Sequence, residues 1–188
     1  MTMHLDRGLL PVRLEFSTAW NQQVGPNEVG RTLLQAFHTA RYELIKRAVE
    51  ANNGWPEEGL LYSCATPWRK QLCLMIETET WACYQDLLTS IRQIGNYRVN
   101  GQVYEYDEPV MTMAADKFMV NSIQVWPQWQ GSSDPLAIEG EVLECARKIR
   151  EIRPKYVVRG DYSQYSEAQL EEMHQQHRRR LVGQLRGM

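Results

Sequence analysis

The stretch Gln71-Leu72-Cys73-Leu74-Met75-Ile76-Glu77-Thr78 decides how the rest of the chain is read. Leu72, Leu74 and Ile76 alternate with Cys73 and Met75, so both faces of an extended segment would be apolar. Such a strand belongs in the middle of a sheet covered on both sides. Upstream of it, Leu10, Val12, Leu14 and Phe16 alternate with Pro11, Arg13, Glu15 and Ser17, the period of a half-buried strand. After Gly25-Pro26-Asn27, the residues Val29, Leu33, Phe37, Ala40, Leu44 and Ala48 trace one apolar stripe along a helix. Asn52-Asn53-Gly54 would end that helix, and residues 59–65 read as a short strand closed by Thr66-Pro67.

Downstream, Thr80 is placed to cap a helix bearing Trp81, Tyr84, Leu88 and Ile91 on one face, with Gly95-Asn96 as its stop. The run Tyr97-Arg98-Val99-Asn100-Gly101-Gln102-Val103-Tyr104 predicts a hairpin. Asn-Gly suits a type I′ turn, whose two central residues take positive φ, and Tyr97 would then face Tyr104. Residues 118–126 read as another strand, ended by Pro127. Asp134-Pro135 supplies an N-cap and a proline at the first helical position, and Ile138, Val142, Cys145, Ile149 and Ile152 stripe the helix that follows. Ser166 with Gln169 forms a capping box that opens a last helix.

The order β-α-β-β-α-β(β)-β-α-α predicts an α+β protein. Its antiparallel sheet would have about five strands in ferredoxin-like (split βαβ) order, with two packed helices and a C-terminal helical pair. Residues 1–131 are expected to form the core domain and 132–188 a helical extension.

Charge sharpens that division. The chain of 188 residues has a formal net charge of −2, yet residues 1–145 carry 11 basic and 18 acidic side chains, against 10 and 5 in 146–188. The basic residues are Arg147, Lys148, Arg150, Arg153, Lys155 and Arg159, then Arg178, Arg179 and Arg180. A basic tail on an acidic body suits a contact with a protein, with a second copy of the chain, or with phosphates. The bland reading is a solvated face, with Arg178 to Arg180 complementing a helix C-terminus. Trp68, Trp126 and Trp129 stand beside prolines in expected loops, where they serve as interface anchors or plug the core.

Catalytic patterns are sparse. Glu105 and Asp107 would share a strand face and could hold a divalent cation, although acidic pairs on a solvated sheet are common. His174 and His177 lie one turn apart on the apolar side of the last helix, with Leu170, Leu181 and Leu185. A metal site there would need a further ligand, whereas pH-sensitive packing needs only the pair. Cys64, Cys73, Cys83 and Cys145 make no CxxC pair and read as small buried hydrophobes.

The expected function is therefore a non-catalytic interaction or assembly module without metal or cofactor. It would self-associate or bind another protein through its basic C-terminal helices. The alternatives are a nucleic-acid-binding protein that contacts phosphates through the same segment, and a metal-dependent enzyme built on the carboxylates of residues 97–108. No apolar run is long enough to span a bilayer, and residues 1–11 lack a signal-peptide pattern, so a cytoplasmic setting is expected.

Overall fold

The computed structural model describes residues 1–6, 8–51 and 66–186. In chain order these form β1 (Thr2–Leu5), β2 (Pro11–Glu15), a helical turn at Trp20–Gln23, and α1 (Val29–Ala51). After residues 52–65, which include the expected helix stop and the expected 59–65 strand and lie outside the described residues, come α2 (Trp68–Ile76) and α3 (Trp81–Arg92). Five strands follow: β3 (Tyr97–Asn100), β4 (Tyr104–Glu105), β5 (Glu108–Pro109), β6 (Met111–Ala115) and β7 (Val120–Val125). The last two helices are α4 (Pro135–Ile152) and α5 (Glu167–Arg186).

The protein is α+β, with antiparallel sheets of two, three and two strands in the orders β1-β2, β3-β6-β7 and β4-β5. Among the described residues no sheet has five strands, and residues 71–76 explain why. They lie inside α2, where Leu72, Cys73, Leu74 and Met75 are all buried. A short run that is apolar on every face is as well satisfied by a buried helix as by a central strand, and its periodicity does not separate the two.

The Asn100-Gly101 hairpin is likewise replaced. Tyr97 pairs with Ala115 rather than Tyr104, and Asn100 pairs with Thr112. Gly101 does not turn the chain back; it allows close approach, since a Cβ there would fall 1.8 Å from Glu141 Oε2. The Glu141 carboxylate accepts from the backbone N–H groups of Gln102 and Val103 at 3.0 and 3.3 Å. The positive-φ pair occurs six residues later, at Tyr106 (51°) and Asp107 (64°), the tip of the β4–β5 hairpin. The N-terminal residues form β1, in which Met3 pairs with Leu14.

The elements group into two compact units, residues 1–51 with 94–153, and 66–93 with 154–186. In the first, α1 lies against β1 and β7, while α4 lies against β2, β3 and β6. Phe37, Leu33, Met113, Val120, Ile138, Val142 and Ile149 are sealed between them. Gly30 lets α1 sit close on β7, because a Cβ would be 2.5 Å from the carbonyl oxygen of Ile123. In the second unit α5 packs along α2 and α3 around Leu72, Met75, Tyr84, Leu170 and Leu181.

This grouping differs from the expected division at 131/132. The helix α4 has Ile138, Val142, Cys145 and Ile149 of its apolar stripe in the first core, while Ile152 is exposed, and α5 finds its partners in α2 and α3. The expected caps are in place. Thr80 accepts from Cys83 N, Asp134 accepts from Leu136 N, and Ser166 and Gln169 exchange bonds of 2.8 and 3.3 Å. Over these ranges the first unit holds 12 basic and 14 acidic side chains and the second 9 and 7, so the charge contrast between units is milder than between chain segments.

Candidate functional site

The basic residues of α4 are engaged within their own unit. Arg147 pairs with Glu144 and Glu151 on the same helix, and its guanidinium holds the Glu144 carboxyl below its ordinary pKa. Lys148 Nζ donates to the carbonyls of Asn100 and Gly101 at 2.8 and 2.9 Å. Arg150 binds Asp6 at 2.7 Å and the Pro11 carbonyl at 2.6 Å, and Arg153 binds the carbonyls of Gly8 and Asp116. These long side chains tie α4 to the backbones around it. In the second unit Lys155, Arg178 and Arg179 are exposed, while Arg180 donates to His177 Nδ1 at 3.1 Å.

The three tryptophans separate just as clearly. Trp129 is 5% exposed and belongs to the first core. Trp68 is 45% exposed and donates from Nε1 to Glu171 at 2.9 Å. Trp126 is half-buried, and its ring meets Tyr106 edge-on at 5.7 Å between centroids.

Trp126 also walls a groove of about 840 Å³ in the first unit. Register explains its floor. Asn100 on β3, Thr112 on β6 and Gln124 on β7 lie in one cross-strand row. Thr112 Oγ1 donates to Asn100 Oδ1 at 3.0 Å, and Arg98 Nη2 donates to Gln124 Oε1 at 3.2 Å. The amide NH₂ groups and the rest of the Arg98 fork remain as donors on the floor, and each amide oxygen keeps a second lone pair. The groove is therefore rich in donors and carries one cation, Arg98, and one carboxylate, Glu108. Glu108, Pro109, Val125 and Pro127 complete its walls.

Beside the groove stands the β4–β5 hairpin, which supplies the Glu108–Pro109 wall. Its tyrosines are unusually exposed, Tyr104 at 54% and Tyr106 at 88%. Glu105, Asp107 and Glu108 surround them. Asp107 occupies the tip and Glu105 pairs across the ladder with Glu108, so the expected cation pair is part of a tight turn. Among the described residues no three His, Cys, Asp or Glu side chains converge as metal ligands. Of the cysteines, Cys145 is sealed in the first core, where burial pushes its thiol up to about 12, and Cys83 is exposed.

In the second unit His174 and His177 face α3 and the end of α2. Tyr84 Oη lies 2.8 Å from His174 Nε2, and Trp81 stacks on Tyr84 at 5.2 Å. Thr78 Oγ1 lies 3.2 Å from His177 Nε2.

Sequence reasoning brought Arg98 and Asn100 into view only as hairpin residues. The groove was hidden because it depends on β6 and β7 being registered against β3. The exposed tyrosines were hidden behind the strand expected at residue 104. Comparison with protein-family models, curated proteins and solved structures finds no match to this chain. No helix among the described residues is long and apolar enough to cross a membrane.

Proposed function

We propose that this protein is a self-associating interaction module. The acidic, tyrosine-tipped β4–β5 hairpin of one copy enters the Arg98 groove of a second copy, and the second copy reciprocates. The observation that supports this reading is the adjacency of two complementary surfaces in one unit: a donor-lined groove and a projecting hairpin that offers carboxylates. A twofold interface requires that a patch and its complement lie side by side, so that each copy both gives and receives. Tyrosines add large contact area at low conformational cost, and exposed aromatic clusters mark such surfaces. This reading moves the contact away from the basic C-terminal helices, because the α4 cations are used within their own unit.

Sedimentation velocity over a range of concentrations, at low and moderate salt, tests it. The expected result is a dimer that weakens with salt and is lost in R98E. A wild-type chain that remains monomeric at every concentration and both salts overturns the proposal.

A second reading, phosphate binding in the second unit, is favoured by the exposure of Arg178 and Arg179. Its signature is an affinity for duplex or single-stranded probes that falls steeply with salt and is lost in R178A/R179A.

A further inference from the structure

We propose that the second unit is an acid-responsive element, in which protonation of His174 and His177 releases α5 from α2 and α3. The Thr78 hydroxyl has one proton and gives it to the Met75 carbonyl at 2.7 Å. His177 Nε2, 3.2 Å from that oxygen, must then be the donor between them. Arg180 donates to Nδ1 at 3.1 Å, so Nδ1 is a lone pair and the ring is neutral. A second proton on His177 would oppose the guanidinium and break that bond. Only 8% of His177 is exposed, so water cannot replace what is lost.

His174 sits in the same seam one turn earlier. Its Nε2 meets the hydroxyl of Tyr84, which is itself 4% exposed and stacked on Trp81. The charged groups around the pair disfavour protonation. Arg178 and Arg180 from α5 bear on it, and Glu171 is the one opposing carboxylate on that helix. From α3 the facing group is Tyr84. Of the charged side chains of α2 and its cap, Arg69 is engaged with the carbonyls of Tyr162 and Tyr165, and Glu77 with the N–H groups of Arg159 and Gly160. Cys73, also on α2, has its own thiol pushed up by burial and supplies no charge.

Burial and these cations both hold the two imidazoles below their ordinary pKa. The sign follows from linkage. Groups with a lowered folded pKa stabilise fully above the ordinary histidine value of about 6.5, and that contribution is lost as pH falls below it.

Hydrogen exchange of the full chain, read by mass spectrometry and corrected for intrinsic rates, tests the element. Between pH ~6 and ~5 the opening of peptides from 68–92 and 167–186 should rise several-fold, with a ceiling of about tenfold for each histidine. Peptides from β6 and β7 should not follow. The variant H177Q keeps a donor for Thr78 and an acceptor for Arg180 but cannot titrate, so its pH response should fall to that of one histidine. Equal pH response in both units, or an unchanged response in H177Q, overturns the proposal. Should H177Q fail to close the second unit at neutral pH, the imidazole titration of the wild-type chain by NMR decides. Two midpoints below the ordinary value support the element, and midpoints at that value reject it. The readout involves neither the groove nor the hairpin, so it stands or falls apart from self-association.

Discussion

The two units solve the same problem with different materials. Among the described residues the first has an apolar cluster of 20 buried side chains between two long helices and paired strands, and it also buries Glu141, Lys117, Thr112 and Ser132. The second has six, one of them a tyrosine, and fills the seam around them with histidine, threonine and arginine. Apolar burial is worth about 1.5–3 kcal/mol for each large side chain and does not depend on pH. A seam of neutral imidazoles closes only while they stay neutral. Where a small core is completed by neutral imidazoles, stability becomes conditional on acid; among the described residues the first unit buries no histidine, and its buried charged groups are Glu141 and Lys117.

Truncating the first core should break this contrast most severely. Phe37→Ala, at a fully buried position, is expected to cost about 3–5 kcal/mol, measured by denaturant unfolding. Next is Leu181→Ala, at about 2–5 kcal/mol; hydrogen exchange should show the loss in residues 68–92 and 167–186 and spare β6 and β7. Glu141→Ala strips the acceptor from Gln102 N and Val103 N and should cost about 1–3 kcal/mol for each group left unpaired.

The charge of Glu141 adds a pH slope of opposite sense to that of the histidines. Burial raises its folded pKa, so its contribution is complete below the ordinary carboxylate value and declines as pH rises through the raised one. Glu141→Gln should flatten that part of the stability profile. The smallest effect belongs to Ser166→Ala, which removes the N-cap of α5 and should cost about 1 kcal/mol, confined to the second unit.

Local chemistry was legible in the sequence, and long-range pairing was not. The caps at Thr80, Asp134 and Ser166 and the stripe of α1 depend on neighbours a few residues away, and each stands where its pattern put it. The Asn100-Gly101 turn failed because a distant residue overrides it. Glu141 takes the N–H groups beyond Gly101, and the chain crosses to pair Asn100 with Thr112. Gln71–Ile76 failed because a run apolar on all sides does not state its own period, and only the presence of α3 and α5 makes it a helix. The engagement of Arg147 could have been read from Glu144 and Glu151, three before and four after it. Arg150 and Arg153 reach Asp6 and Gly8, more than a hundred residues away, and only the fold brings them together.

Self-association rests on the Arg98 groove receiving the hairpin of another copy, and a charge exchange tests it most directly. R98D and D107R should each sediment as monomers at concentrations where the wild type is a dimer. Mixed in equal amounts, the two variants should form a heterodimer, because one groove–hairpin contact is restored with its charges reversed. A mixture that stays monomeric beside a dimeric wild type would contradict the pairing.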